Sequence, residues 1–190
     1  MKKIIAITAV AVSMLTSSAL AKTEGNYASA NLLYNRTSFN YQNESNKTSN
    51  GAGIGFGYKY AFNFDKIFIA PGVFVEKNNI NSDVGPDKIN IKNRYGFKAD
   101  LGYDLEDNLS VYLVGGLSFL NYRTSSEFDG SLSNRSKSSL FYGAGISHDY
   151  SKNISFSLEY NTQSLSLKDR AGDKIKTDNN TVKIGLNYKF

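Results

Sequence analysis

Residues 51–62 read GAGIGFGYKYAF, with glycine at 51, 53, 55 and 57 and Ile54, Phe56, Tyr58, Tyr60 and Phe62 on the alternate positions. Successive side chains of a strand point to opposite faces, so this stretch presents one glycine-lined stripe and one bulky apolar stripe. A phosphate-binding loop is the other structure rich in glycine. That reading needs a strand–loop–helix context with a complete G-x-G-x-x-G or lysine-bearing pattern, and neither is complete here. GAGI also returns at Gly143–Ile146, which a single nucleotide loop leaves unexplained.

The same period of two runs through the rest of the chain and predicts strands at about 26–39, 52–62, 66–78, 89–104, 109–123, 139–150, 153–167 and 180–190, with ends uncertain by ~2–4 residues. In TVKIGLNYKF, Val182, Ile184, Leu186, Tyr188 and Phe190 oppose Lys183, Gly185, Asn187 and Lys189. Short connections are expected at Asn63–Asp65, Leu105–Asn108 and Ser151–Lys152, and long polar loops at roughly 40–51, 79–88, 124–138 and 168–179. An even strand count puts both termini on the short-turn side. Short turns at one end and long loops at the other are the pattern of an outer-membrane barrel. Such a sheet must close, because open edges in lipid leave backbone groups unpaired at several kcal/mol each.

Alternation alone also fits a soluble calyx with its apolar face inside. The two faces decide between them. Of 38 positions on the apolar face none is Asp, Glu, Lys or Arg, although 21% of the chain is charged. A lipid-facing Arg or Lys at the bilayer midplane costs ~2–4 kcal/mol, which accounts for the exclusion. The opposite face is lined with glycine and serine, including Gly53, Gly55, Gly57, Gly96, Gly102, Gly116, Gly143, Gly145 and Gly185. Glycine weakens an exposed strand but suits the narrow interior of an eight-stranded barrel. The expected fold is therefore all-β, an eight-stranded antiparallel up-and-down transmembrane β-barrel.

Counting along the strands places Tyr60, Phe62, Tyr103, Tyr150, Tyr188 and Phe190 near the short-turn end. Tyr34, Tyr95, Phe119, Tyr142 and Tyr160 fall near the long-loop end, with aliphatic residues between. Two aromatic girdles around an aliphatic band are what a bilayer selects. Inside, Lys59, Glu76, Arg94, Lys98, Asp100, Glu159 and Lys183 are expected to form a paired network, since isolated buried charge is too costly. Pro71 lies mid-strand without an N–H, which predicts a bulge or local break at Pro71–Gly72.

The first 21 residues, MKKIIAITAVAVSMLTSSALA, have a basic start, an apolar run and a small-x-small end, the form of a cleaved secretory signal. The apolar core, Ile4–Leu15, is shorter than the ~20 residues of a membrane helix. The barrel domain is then residues 22–190. Without Lys2 and Lys3 the chain carries 20 basic against 17 acidic residues, a net +3 too scattered to argue for nucleic acid. It has no cysteine and one histidine, so neither disulfides nor a thiolate- or imidazole-rich metal site is expected, and no cofactor is implied. Ser147-His148-Asp149 is not read as a catalytic triad, because neighbours on a strand face opposite ways. No catalytic residue is expected, and His148 is read as an interfacial ring.

With these features the mature chain resembles the small eight-stranded outer-membrane barrels of Gram-negative bacteria, the OmpX/OmpA/Opa-like group. The most specific element is the C-terminal strand IGLNYKF with its aromatic terminus. The resemblance implies that Ile184, Leu186, Tyr188 and Phe190 form the signal read by the barrel-assembly machinery. It also implies an outer-membrane location with both termini periplasmic and the loops outside. Some small barrels sharing this pattern are regarded as adhesins, whereas the two-domain role with a peptidoglycan-binding segment is not implied. The expected partners are outer-membrane lipid, the assembly machinery, and host-cell surface or serum proteins reached through the loops. Candidate loop contacts are Arg135, Lys137, Lys168, Arg170 and Lys174. A protein that only braces the membrane, or a very narrow pore, are the alternatives.

Overall fold

Alternation of small or polar with apolar side chains carries eight strands in the computed structural model, which describes residues 24–40, 47–84, 87–126, 132–168 and 174–190. They are β1 (Gly25–Asn40), β2 (Lys47–Phe64), β3 (Ile67–Val84), β4 (Asp87–Glu106), β5 (Leu109–Ser126), β6 (Leu132–Asp149), β7 (Ile154–Lys168) and β8 (Lys174–Lys189). Each pairs antiparallel with its chain neighbours, and β1 pairs with β8 from Tyr27↔Lys189 to Asn40↔Lys176, closing the barrel. The expected signal segment, residues 1–21, lies outside the described residues.

Tight connections gather at one end, here the turn end. β2 and β3 join through Asp65–Lys66, where Asp65 adopts a left-handed φ of 59°. An Asp tolerates that conformation because its short polar side chain can bond locally. The start of β1 and the end of β8 meet at this same rim, where Phe190 N donates to Asn26 O at 3.1 Å and Lys189 N to Asn153 O at 2.8 Å.

At the opposite, distal end the strands run further than the sequence predicts. Stretches expected as long loops belong largely to hairpins: β3 continues to Val84 and pairs there with Asp87, and β5 and β6 pair as far as Ser125↔Leu132. The reason is an inversion of polarity without a change of phase. On β1 the outward side chains are Ala28, Ala30, Leu32 and Tyr34, then Arg36 and Ser38, while the inward series ends in buried Phe39. On β8 the outward Val182, Ile184 and Leu186 give way distally to Lys176 and Asp178, and Ile175 turns inward. The distal half is thus polar outside and apolar inside, the reverse of the belt. Phe39, Ile80, Ile89, Ile91, Leu120, Tyr122, Leu165, Leu167 and Ile175 form its core.

A β-bulge in β4 helps to build that core. Ile91 pairs with Tyr122 and Asn93 with Asn121, leaving Lys92 as the extra residue. The phase flips there, so Ile89 and Ile91 turn inward while Lys92 and Asn93 are both exposed. At Pro71 the ladder with β2 skips from Lys59↔Gly72 to Phe62↔Ile69 in unchanged register, whereas Pro71 still aligns with Ala99 of β4. The proline therefore costs a local break beside β2 and no bulge.

One seam stays open. β6 and β7 pair only from Tyr142↔Thr162 to Asp149↔Ser155. Both strands continue distally, β6 held by β5 and β7 held by β8.

Candidate functional site

Glycine lets bulky lumen residues press against the barrel wall. A Cβ on Gly102 would stand 2.0 Å from Phe68 Cζ, and one on Gly145 2.4 Å from Tyr112 Cζ. The glycine stripe is thus a set of sockets for aromatic rings. Tyr27, Phe68 and Tyr112 are buried on the turn side of the charged residues.

The seven charged lumen residues form one alternating chain. Lys59 Nζ lies 2.8 Å from Asp100 Oδ2, and Asp100 Oδ1 is 3.2 Å from Lys98 Nζ. Lys98 reaches Glu159 Oε2 at 3.2 Å, and the other oxygen of Glu159 is 3.1 Å from Lys183 Nζ. Lys183 is 2.9 Å from Glu76 Oε1, and Arg94 Nε closes the series 2.8 Å from Glu76 Oε2. Neutral donors and acceptors extend it: Tyr112 OH donates to Glu159 at 3.3 Å, Asn161 Nδ2 donates to it at 2.7 Å, and Arg94 Nη1 donates to Gln163 at 3.3 Å. Arg94 and Lys183 also lie over the rings of Phe74 and Phe141, at 5.3 to 5.9 Å. Each of the three carboxylates, Asp100, Glu159 and Glu76, touches two cations, which offsets the desolvation that isolated charges would suffer.

Beyond this layer comes a neutral polar one. Asn35 Nδ2 donates to Asn78 Oδ1 at 3.0 Å, Thr181 Oγ1 to Asn35 Oδ1 at 2.8 Å, and Thr37 Oγ1 to Asn179 Oδ1 at 2.8 Å. The apolar distal core caps the stack. A lumen pocket beside Lys59, Lys98, Tyr112 and Glu159 measures about 20 Å³, room for roughly one water. These asparagine and threonine contacts escaped the sequence reading. Their inward phase was the available signal, obscured because it ran into segments read as loops.

On the outer face Tyr34, Phe62, Tyr95, Tyr103, Tyr142, Tyr150, Tyr160, Tyr188 and Phe190 are exposed, and Tyr60 and Phe119 are half-buried. Tyr60 OH donates to Glu24 at 2.9 Å at the turn end, and Tyr160 OH to Asn180 at 2.9 Å on the distal side. Tyr95 and Phe119 stack at 5.5 Å. Ile184 and Leu186 are exposed on β8 in line with Tyr188. Ser147 and Asp149 follow the lumen phase of β6 and His148 the outer phase, although all three are buried.

The candidate loop contacts are corrected by the longer strands. Arg135 and Lys137 belong to β6, paired with Tyr122 and Leu120. Lys168 and Lys174 are register partners at the ends of β7 and β8. Arg170 lies outside the described residues. Serine-rich, cation-bearing segments read as loops because their polarity hides the alternation.

The bulge creates a basic site that sequence reasoning missed. Lys92, Asn93, Asn121, Arg123, Asn134 and Ser136 line a distal pocket of about 390 Å³, also bordered by Tyr122 and Arg135. Arg123 Nε donates to Asn134 Oδ1 at 3.0 Å, which orients the guanidinium. Among the described residues, no carboxylate lines the pocket. The arrangement suits an anionic ligand held by point charge and forked donors.

Comparison with known proteins supplies context. The family model of the outer membrane protein beta-barrel domain matches residues 7–190. Among solved structures, Neisserial surface protein A shares 17% identity over 89% of this chain and 100% of its own, with a TM-score of 0.60. The attachment invasion locus protein Ail of Yersinia pestis shares 19% identity over 87% of this chain and 99% of its own, with a TM-score of 0.57. Ail in complex with the heparin analogue sucrose octasulfate gives 20% identity, 87% and 99% coverage and a TM-score of 0.55. No curated protein sequence matches the chain.

Proposed function

Because the chain belongs to the outer membrane protein β-barrel family, we propose that it is a non-catalytic surface barrel whose distal end contacts anionic molecules of a host or partner cell. The distal end is taken to face outward from the cell and the turn end, with both termini, to face the periplasm. The belt of exposed apolar residues meets the lipid of the outer membrane, and the two sets of aromatic residues mark its boundaries. A tilted strand crosses a bilayer in ~9–11 residues. Strands of 15 to 20 residues therefore lift the distal half clear of the membrane. Ile184, Leu186, Tyr188 and Phe190 are assigned to recognition by the assembly machinery.

The observation that carries the binding role is the bulge-built pocket, which Lys92 and Arg123 both line with no carboxylate among the described residues. The complex of Ail with a heparin analogue shows that a barrel of this fold can hold a polysulfated ligand, which supports the same ligand class here. The test is binding of heparin fragments to cells that display the protein, comparing it with K92Q/R123Q. Saturable binding lost in the variant supports the reading. Equal binding by both contradicts it.

A further inference from the structure

The charges of the lumen network do not balance. Lys59, Lys98, Lys183 and Arg94 bring four positive charges against the three negative ones of Asp100, Glu159 and Glu76, a surplus of one. Among the described residues no further carboxylate pairs with any of these four cations. Buried charge without a counter-charge is costly, so the surplus needs a negative partner. The two ends of the chain of contacts differ in how they meet that need. Arg94 also donates to Gln163 and lies over the rings of Phe74 and Phe141. Lys59 Nζ has Asp100 as its one hydrogen-bond partner among the described residues, with the Tyr112 ring 5.6 Å away. An ammonium has three donors, so two of those on Lys59 are unused.

Those donors have a space to point into. The side chains of Lys59 and Lys98 keep 11% and 15% of their surface, against 6% or less for the other five members of the network. Both lysines line the lumen pocket of about 20 Å³. Ser29 borders it as well and accepts from Asn31 Nδ2 at 3.3 Å, which leaves the Ser29 hydroxyl proton to donate. Among the described residues Glu159 is the one carboxylate in the lining, and it is already engaged by Lys98, Lys183, Tyr112 and Asn161. Gly57 supplies the room, since a Cβ there would stand 2.7 Å from Ser29 Oγ. We propose that this pocket is a binding site for one monatomic anion, chloride, held by Lys59 Nζ, Lys98 Nζ and the Ser29 hydroxyl. A volume that admits about one water excludes phosphate, sulfate and organic acids. The surplus positive charge selects an anion over the water that the same volume would accept. Side chains pack the lumen on both sides of the charged layer, so the ion enters as the barrel folds and contributes to its stability. The site is independent of the Lys92–Arg123 pocket and of which end of the barrel faces outward.

The test uses the full mature barrel, unfolded and refolded by urea with lipid vesicles at fixed pH and ionic strength, sodium chloride being exchanged stepwise for sodium gluconate. Uptake of one ion by the folded state alone makes the folding equilibrium constant rise with chloride, by up to about tenfold per tenfold increase in concentration. Lys59→Gln removes the surplus charge, and Gly57→Ala fills the pocket with all seven charges kept. Both variants should lose the chloride dependence while keeping heat-modifiable mobility on gels. Crystals grown in bromide should show one anomalous peak within hydrogen-bonding reach of Lys59 Nζ, absent from Gly57→Ala. A folding equilibrium indifferent to chloride, a dependence that persists in either variant, or a water without anomalous signal in the pocket overturns the proposal. A bromide peak without any chloride dependence means binding at crystal concentration only and overturns it too. If a variant fails to fold, the wild-type dependence and the crystal decide.

Discussion

Arg94 Nε stands 2.8 Å from Glu76 Oε2, and among the described residues Glu76 is the only carboxylate that Arg94 meets. Glu159, by contrast, bridges Lys98 and Lys183, each of which holds a second carboxylate. Removal of one partner from a buried pair costs about 3–5 kcal/mol when the other charge is left stranded. Glu76→Gln is therefore expected to destabilise the barrel by about that amount, and Glu159→Gln by less. Urea unfolding from lipid vesicles reads both. A larger loss for Glu159→Gln would show that position in the chain of charges does not govern the cost.

Gly102 faces Phe68 so closely that any side chain must displace the ring. Gly102→Ala should cost about 1–3 kcal/mol through overpacking. Phe68→Leu in the same chain should recover part of the loss, because it removes the atoms that the new methyl meets. The double-mutant cycle measures this coupling, and simple additivity would argue against the socket.

Asp65 sits at φ 59° in the turn joining β2 and β3. Glycine adopts that conformation freely and a β-branched residue does not. Asp65→Gly is expected to leave stability within roughly 1 kcal/mol, and Asp65→Val to lower it by about 1–2 kcal/mol. Vesicle unfolding midpoints compare the two variants directly.

The lumen holds a charged layer, an asparagine and threonine layer, and an apolar distal core in series. Eight strands leave an interior that side chains fill. Planar-bilayer recordings are expected to show no stable nanosiemens steps. Reproducible steps of that size would require a channel through all three layers.

The legibility of this fold in the sequence followed the membrane's demand for contrast. Within the belt, residues such as Ile54 and Phe56 against Gly53 and Gly55 alternate strongly, so strand existence, phase and the charge-free outer face could be read directly. Distally the contrast reverses and weakens: Arg36 and Ser38 point outward while Phe39 points inward. A scan that equates polar stretches with loops stops there. The bulge at Lys92 also exchanges the faces of Ile89 and Ile91, a shift visible only once pairing is known. Likewise, Arg135 and Lys137 were recognisable as candidate contacts from charge alone, but the missing β7 partner that exposes them is a property of pairing. The seven lumen charges shared one phase, yet their order along the chain of contacts depends on reach across the lumen.

The parity of β8 offers the most direct test of which face meets lipid. The chain has no cysteine, so single cysteines at 176, 178, 182, 183, 184, 185, 186 and 187 can each carry a fluorophore quenched by spin-labelled or brominated acyl chains. Labels at 182, 184 and 186 should be quenched by the lipid, and those at 183, 185 and 187 should not, with 176 and 178 spared because they stand beyond the belt. Quenching on the odd positions, or equally on both sets, would contradict the placement of the apolar belt in hydrocarbon.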